Sequence, residues 1–547
     1  MSKRLVCSQL TIADLLVPPI YIRSVVYLPL QPSATPDEVY NVLRLGLIRT
    51  IQQIPLLSGK VYLRPPSSPD WRPGQLELRH EDTWDLPTDS LDGPPQLQRK
   101  DVSKDIGYTY EELKDLGFPC NLFRDDTAIS APFIPNPAAG VEVFKAQANF
   151  VKGGCLLGVA FYHPVADATG MTLMMQAWAA HCKAVSLSEV SWQTTQIAQR
   201  LHPTTRDLHV GSVAWSMIGL DETLHQKSLK IQAVNQLLKR LLFFALQLLP
   251  ILFDILIMLE QTDWTALWSE MSSFAVPAGL KTTGITRTAD DILTDDERGC
   301  ADLSKRPKSM QSSIFYISGS QLSRLKKGLI DSGGPAASAL SANDALLALL
   351  WRCLMRARVN ARHAVTHKKD QLALLQCPMD GRGVYSSSQT TNYIGNFVVL
   401  NETSFSLQDL VNPETPLQDV ALRVRQSAAC ITRDTVHQAY VLAREIKDFT
   451  AIDHAFTTLE GFALMISSLA AFPAEQFDLG DRLFANKGRA DRLRPLMSGF
   501  NGAHRFCVVL PFNQQGGLEV VVSLFADEME ELLRDEEFSQ YATFFCN

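Results

Sequence analysis

Apolar and polar positions follow two rhythms along this chain. From 38 to 57 (EVYNVLRLGLIRTIQQIPLL) the apolar residues fall at helical spacing and stop near Pro55. That predicts an amphipathic helix packed on a sheet. From 141 to 163 the rhythm is that of strands: VEVFKAQANF, a turn at Gly153-Gly154, then the apolar run CLLGVAFYH. Two such runs joined by a tight turn read as a hairpin. The stretch 171–184 (MTLMMQAWAAHCKA) returns to helical spacing. After 310 the pattern resumes. It predicts a strand at 313–317, helices at 319–329 and 341–358, strands at 371–377, 394–401, 505–511 and 518–524, and an acidic helix over 526–538. Ser341 and Asp344 are placed to cap the 341–358 helix. Asp527, Glu528, Glu530 and Glu531 open the last helix, where acids suit its dipole. Mixed strands and helices in this order give an α/β or α+β protein.

Between the two patterned regions the rhythm fades, and 185–310 reads as a long crossover. This divides the chain into 1–190, 191–310 and 311–547. One stretch inside the crossover stands apart. Residues 241–259 (LLFFALQLLPILFDILIML) are mostly apolar, follow Lys239-Arg240 and precede Trp264 and Trp268. Their length and flanks suit a membrane. Asp254, Pro250 and Gln247 oppose insertion, the Asp alone by about 3 kcal/mol. A packed crossover helix is the favoured reading, and an interfacial membrane anchor is the alternative.

Composition narrows the class. The 547 residues allow about two to four domains, and 46% apolar with 20% charged residues excludes a disordered chain. A formal net charge of -7 argues against nucleic acid as a partner. The ten Cys form no Cys-x-x-Cys pair, so free thiols in a reducing cytoplasm fit better than zinc or disulfides. The first 24 residues, broken by Asp14, Pro18 and Pro19, read as the start of the fold rather than a signal peptide. Asn401-Glu402-Thr403 is then an idle glycosylation acceptor.

His163 carries the candidate chemistry. It ends the apolar strand and opens Tyr162-His163-Pro164-Val165-Ala166-Asp167-Ala168-Thr169-Gly170, just before a helix. A neutral imidazole at the mouth of a buried strand can take a proton from an alcohol or amine. Asp167 could orient the ring or fix the loop. Spacing alone leaves the plainer alternative open, a strand-end histidine beside a helix cap.

Further motifs recur in order along the chain. They are LRLGLIRTIQQIPLLSGKV at 43–61, SANDALLALLWRCLMRAR at 341–358, Met379-Asp380-Gly381-Arg382, Asn392-Tyr393-Ile394-Gly395-Asn396 and GGLEVVVSLFADEMEELLRDEEF at 516–538. With His163-x-x-x-Asp167 they resemble the BAHD acyltransferases, and most closely the fungal branch that includes trichothecene O-acetyltransferases. Only 185–310 lacks recognisable signatures. The resemblance implies two chloramphenicol-acetyltransferase-like lobes, each a mixed α/β sheet, with a channel between them. It implies His163 as general base, and Asp167 as a structural residue paired with Arg382. It places Asn396 along the channel. Asp478 and Gly480 match a structural motif whose aromatic residues are missing here. Ser467-Ser468-Leu469 stands where relatives carry Thr-Ser-Trp. Ser467 therefore keeps a candidate oxyanion donor, while Leu469 cannot donate, and such a loss can cost about 10²- to 10³-fold. Ala168 stands where a glycine is usual, so no positive φ is expected there. Asp380 reads as an ordinary turn residue, and Gly170 is given no role.

Other clusters carry less. His363 and His367 have metal-compatible spacing in a basic linker without a partner glutamate. No metal is expected. Arg324, Lys326 and Lys327 read as a solvated helix face, and Cys155 and Cys182 as packed thiols. The expected function is an acyl-CoA-dependent O-acyltransferase acting on a hydroxyl of a fungal secondary metabolite. Acetyl-CoA is the expected co-substrate, no cofactor stays bound, and the enzyme is a cytoplasmic monomer. Two alternatives stay open: a degenerate acyl-CoA-binding protein, and an acyltransferase that meets a membrane through 241–259. The acceptor, the acyl length and the CoA-contacting residues are left unassigned.

Overall fold

The computed structural model describes residues 5–81, 94–122, 125–187, 276–277, 310–331, 335–361, 371–385, 393–452, 459, 461–472, 477–513 and 516–547. The 241–259 stretch, His363 and His367 lie outside the described residues. The molecule is a mixed α/β protein of two lobes.

The N-terminal lobe is built on a five-stranded sheet. Its order is Arg492–Pro495, Tyr21–Pro29, Gly154–Tyr162, Phe144–Val151 and Leu97–Asp101. The expected hairpin forms, with Val151 opposite Gly154 and Phe144 opposite Phe161. All nine residues of Gly154–Tyr162 are buried. A strand covered on both faces reads as a continuous apolar run, which is why this one was plain in the sequence. The helices Pro36–Gln53 and Ala168–Ser186 pack on one face, and the Trp178 indole donates to the Leu43 carbonyl at 3.0 Å. The edge strand Arg492–Pro495 comes from the C-terminal part of the chain and pairs with Tyr21–Pro29. Leu479, Leu483, Phe484 and Leu496 accompany it into the N-terminal core. A smaller sheet of Leu5–Gln9, Leu76–Glu81, Lys60–Leu63 and Val141–Glu142 flanks this lobe.

The C-terminal lobe holds an eight-stranded sheet. In order its strands are Thr543–Cys546, Gln311–Ile317, Leu518–Leu524, Phe506–Val509, Ala463–Ser468, Leu372–Asp380, Val398–Ser406 and Val276–Pro277. The helix Ala342–Ala361 is buried along most of its length, with Trp351 at its centre. Ser341 and Asp344 cap it reciprocally, as the sequence indicated. Asn401 is buried within a strand, which closes the nominal glycosylation site. Cys155 and Cys182 are buried, and burial pushes both thiols up. Arg324 is exposed on its helix face, donates to the Gln540 carbonyl at 2.6 Å and lies over the Tyr541 ring.

Three expectations shift. The acidic helix breaks at Asp535, whose carboxylate caps a separate turn, Glu536–Ser539. Glu528 is more than a dipole partner: it is buried and forms a two-pronged pair with Arg505, the longer contact being 2.8 Å. The strand expected at 394–401 begins only at Val398. The residues before it are held by other bonds, and these bonds build the site.

Candidate functional site

His163 follows the last residue of the buried strand and opens a short turn, His163–Val165. Its amide donates to the Ile20 carbonyl at 2.9 Å. As a residue His163 is partly exposed. Burial holds the imidazole below the usual histidine range, opposed by its own backbone and the Asp167 charge. The ring is therefore neutral near pH 7 and able to accept a proton. Among the described residues Nδ1 is buried without a well-aligned partner, which leaves Nε2 as the nitrogen for a ligand.

Asp167 does not orient that ring. It is the N-cap of the helix Ala168–Ser186 and accepts from the Gly170 amide at 3.1 Å. Its two oxygens also take Arg382 Nη1 at 2.7 Å and Nη2 at 3.1 Å. The Phe397 amide adds a bond at 2.9 Å. Arg382 in turn donates to the carbonyls of Tyr393 (3.0 Å) and Gly395 (2.7 Å) and to Asp380 Oδ1 (3.0 Å). Burial alone would lower the guanidinium pKa, but Asp167 and Asp380 reverse this and raise it. Because Arg382 claims the carbonyls of Tyr393 and Gly395, residues 393–397 are held in this network ahead of the strand.

Asp380 belongs to this network as well. Its Oδ1 takes the Arg382 amide at 2.9 Å, and its Oδ2 takes the Thr169 hydroxyl at 3.1 Å. Reading it as an ordinary turn residue missed that link. Gly170 also gains a reason: a Cβ there would collide with the Ile394 carbonyl. Ala168 starts the helix and is not among the positive-φ residues, as expected.

Asn396 is fully buried. Its Nδ2 donates to the His163 carbonyl at 2.9 Å and to Asp14 Oδ1 at 3.1 Å. Both amide hydrogens are thus spent, which makes Asn396 a brace beneath the histidine rather than a spare oxyanion donor. Asp14 was the residue that sequence reasoning passed over. Ser467 is half-buried in Ala463–Ser468, opposite Val508 in the neighbouring strand. No hydrogen bond joins it to His163 among the described residues.

Asp478 and Gly480 lie elsewhere. Asp478 meets Lys183 at 2.6 Å and accepts from the Gly480 amide at 2.9 Å. Gly480 has φ +92°, and a Cβ would lie 2.5 Å from Ser186 Oγ. Lys183 stands sixteen residues beyond Asp167, about 24 Å along the helix at 1.5 Å per residue. These two residues hold the far end of the helix that His163 precedes.

A cleft of about 990 Å³ opens beside the sheet, lined by Arg23, Asp125 and Lys145 on one side and Met310, Met497 and Ser498 on the other. Arg23 pairs with Asp125, which Ser498 also contacts. Arg23 faces Ala160 across the sheet, three residues before His163, or about 10 Å along the strand. Among the described residues no cluster suited to a metal occurs, and no helix is long and apolar enough to cross a membrane.

Residues 20–182 match the family model described as the trichothecene 3-O-acetyltransferase-like N-terminal domain. Residues 292–539 match the Transferase family. The chain is 25% identical over 436 residues to the eremophilane O-acetyltransferase prx11 of Penicillium rubens, covering 80% of this chain and 78% of that one. It is 26% identical over 529 residues to the isocyanide synthase-NRPS hybrid crmA of Aspergillus fumigatus. That match takes in 95% of this chain and spans only 30% of the hybrid's length. Among solved structures, TRI101 of F. sporotrichioides, complexed with coenzyme A and T-2, superposes with a TM-score of 0.66 at 19% identity. The match covers 99% of this chain and 100% of that chain. Vinorine synthase gives a TM-score of 0.51 at 12% identity, over 100% of this chain and 98% of that chain. At these identities the structural matches establish a shared fold, while the two family models match residues 20–182 and 292–539. The chain belongs to the Transferase family of BAHD-like acyltransferases, with a trichothecene 3-O-acetyltransferase-like N-terminal domain.

Proposed function

We propose that this enzyme moves an acyl group, acetyl first among them, from an acyl-CoA to a hydroxyl of a fungal secondary metabolite. His163 acts as the general base. Nε2 removes the hydroxyl proton as the oxygen attacks the thioester carbonyl carbon. The C–S bond then breaks, and the CoA sulfur leaves with that proton. The thioester already supplies an activated carbonyl, so no covalent enzyme intermediate is needed, and ternary-complex kinetics follow. The observation that carries this reading is the neutral His163, held on a turn whose following helix cap, Asp167, is locked to Arg382 of the other lobe. The complex of TRI101 with coenzyme A and T-2 supports the co-substrate and an acceptor seated in the same fold. The cleft beside Arg23 is large enough for a drug-sized acceptor. Ser467 is the candidate to steady the developing oxyanion, and Asp478 with Gly480 supports the scaffold. The enzyme works as a cytoplasmic monomer.

The test is CoA release. Wild type and His163→Ala receive acetyl-CoA and a fungal metabolite extract, with free thiol and product masses followed together. Thiol release with a product heavier by one acetyl group, in wild type only, is the expected result. CoA binding without turnover across a range of acyl-CoAs would make the protein a binder instead.

A further inference from the structure

A general base is ordinarily aimed by a hydrogen bond to its second nitrogen. Asp167 does not serve His163 in this way, since it spends its oxygens on Arg382, Gly170 and Phe397; among the described residues Nδ1 has no well-aligned partner, and the ring is acted on by the backbone of His163 and Ala166 and by the Asn396 side chain. The direction of the ring then comes from packing, from the Asn396 side chain and from the backbone that carries it. That backbone is held at the His163 carbonyl, which accepts from the Ala166 amide at 3.2 Å and from Asn396 Nδ2 at 2.9 Å.

Asn396 is held from the other side by Asp14. Asp14 sits in the short helix Ile12–Leu15 and is 0% exposed. It accepts from the Asn396 amide at 2.8 Å and from Asn396 Nδ2 at 3.1 Å. It also takes the Thr11 amide at 2.9 Å and the Thr11 hydroxyl at 2.7 Å. The bonds to Thr11 complete a capping box and need nothing from Asn396. The bonds to Asn396 cross between the lobes, because the helix bearing Asp14 packs Leu16 and Ala13 against Arg433–Arg444 and Tyr393. Burial pushes Asp14 up to about 6, against the pull of these bonds. A carboxylate kept ionised at such a site works against stability, and residues of that kind persist where function uses them.

We propose that Asp14 is a positioning residue for His163, acting through Asn396 on the backbone carbonyl of the base. The proposal rests on the general-base reading of His163. It requires that Asp14 and Asn396 behave as one unit, and that Thr11, which shares the cap and meets the Tyr393 hydroxyl at 3.4 Å but neither Asn396 nor His163 in the bonds described, stand outside it.

The experiment compares Asp14→Ala, Asn396→Ala, their double variant, Asp14→Asn and Thr11→Val, each with ¹⁵N-labelled histidine. The His163 ring signals are identified by their loss in His163→Ala. Asp14→Ala and Asn396→Ala should move these signals together, and the double variant should move them no further. Turnover of acetyl-CoA should fall about 10- to 100-fold, as for a base displaced by an ångström, with KM for acetyl-CoA within about twofold. Asp14→Asn, which keeps an oxygen for Asn396, should restore most of it. Thr11→Val should lower the melting temperature and leave the His163 signals in place. Unmoved His163 signals in Asp14→Ala, or losses that multiply in the double variant, would overturn the proposal. Where Asp14→Ala does not fold, the contrast between Asn396→Ala and Thr11→Val decides: equal shifts in both mean a structural cap only. Full turnover by His163→Ala would sink the general-base reading instead, and the ring signals would still report on Asp14.

Discussion

Arg382 meets Asp167 between the lobes, and Arg505 meets Glu528 inside the C-terminal lobe. Both pairs are two-pronged and nearly sealed from water. Each carboxylate stands at a helix start, Asp167 as N-cap and Glu528 at the third position. Their surroundings differ. Arg505 also donates to the Leu459 carbonyl and lies over the Phe525 ring, and Glu528 takes the Phe525 amide. Burial opposes the Glu528 charge, but Arg505 outweighs it and the carboxyl sits below its usual range. That pair fastens the final helix to its own lobe. The Arg382 pair fastens two lobes, and Asp167 lies four residues from the candidate base. The same chemistry thus supports a fold in one place and a geometry in the other.

The largest expected effect follows from breaking the pair between the lobes. Removing one partner leaves a buried charge unmatched, which costs about 3–5 kcal/mol. Arg382→Met should therefore lower stability by that order and lose turnover well beyond it, because the His163 turn is freed. Arg505→Met should cost a similar stability, read by denaturant unfolding, while the folded fraction keeps kcat within about threefold of wild type. Equal losses of kcat per folded molecule would erase the distinction.

How much of this was legible in the sequence differs between the same two regions. The hairpin, the His163 strand and the helix after it announced themselves, since buried apolar runs have few other readings. The Asp167–Arg382 pairing came only from ordered motifs that resemble a family. No spacing rule joins residues 215 positions apart. The Arg505–Glu528 pair was hidden by a sufficient local explanation, an acid at a helix start. Tyr21–Pro29 escaped because Arg23 and Ser24 interrupt its apolar run, although Arg23 is neutralised by Asp125. Asp14 looked like a mere interruption of an apolar stretch. Its worth lies in Asn396, 382 residues away.

A middle-sized effect concerns pH. Asp14 has a folded pKa raised to about 6 from 3.8. The folded state therefore holds this proton more tightly than the unfolded chain. Its contribution favours folding fully below pH 3.8 and is lost as pH rises through about 6. The loss is about 3 kcal/mol, at 1.36 kcal/mol per pKa unit. The groups around Asp14 leave the window clear: Thr11 and Asn396 do not titrate, and Tyr393 and Tyr440 are shifted far upward. Arg382 stays charged, and His163, which titrates in acid, is common to both proteins compared. The stability of wild type relative to Asp14→Asn should thus fall between pH 4 and pH 6.5. A flat difference curve would mean that burial places no penalty on the Asp14 charge.

The smallest effect belongs to the far end of the Ala168–Ser186 helix. Lys183 and Asp478 are 47% and 31% exposed, so solvent screens their pairing. Exposed pairs of this kind contribute about 0–1 kcal/mol. Asp478→Asn keeps an oxygen for the Gly480 amide and removes only the charge. It should change stability by less than about 1 kcal/mol and leave kcat untouched. The comparison with Arg382 then becomes one of position along a single helix: one ion pair at its start and another about 24 Å beyond. If geometry at His163 is set locally by the turn and the pair beneath it, the distant pair can be lost without consequence. A fall in kcat of tenfold or more in a fully folded Asp478→Asn enzyme would show that the helix carries strain along its length. Asp478 would then belong with Asp167 and Arg382 rather than with the scaffold.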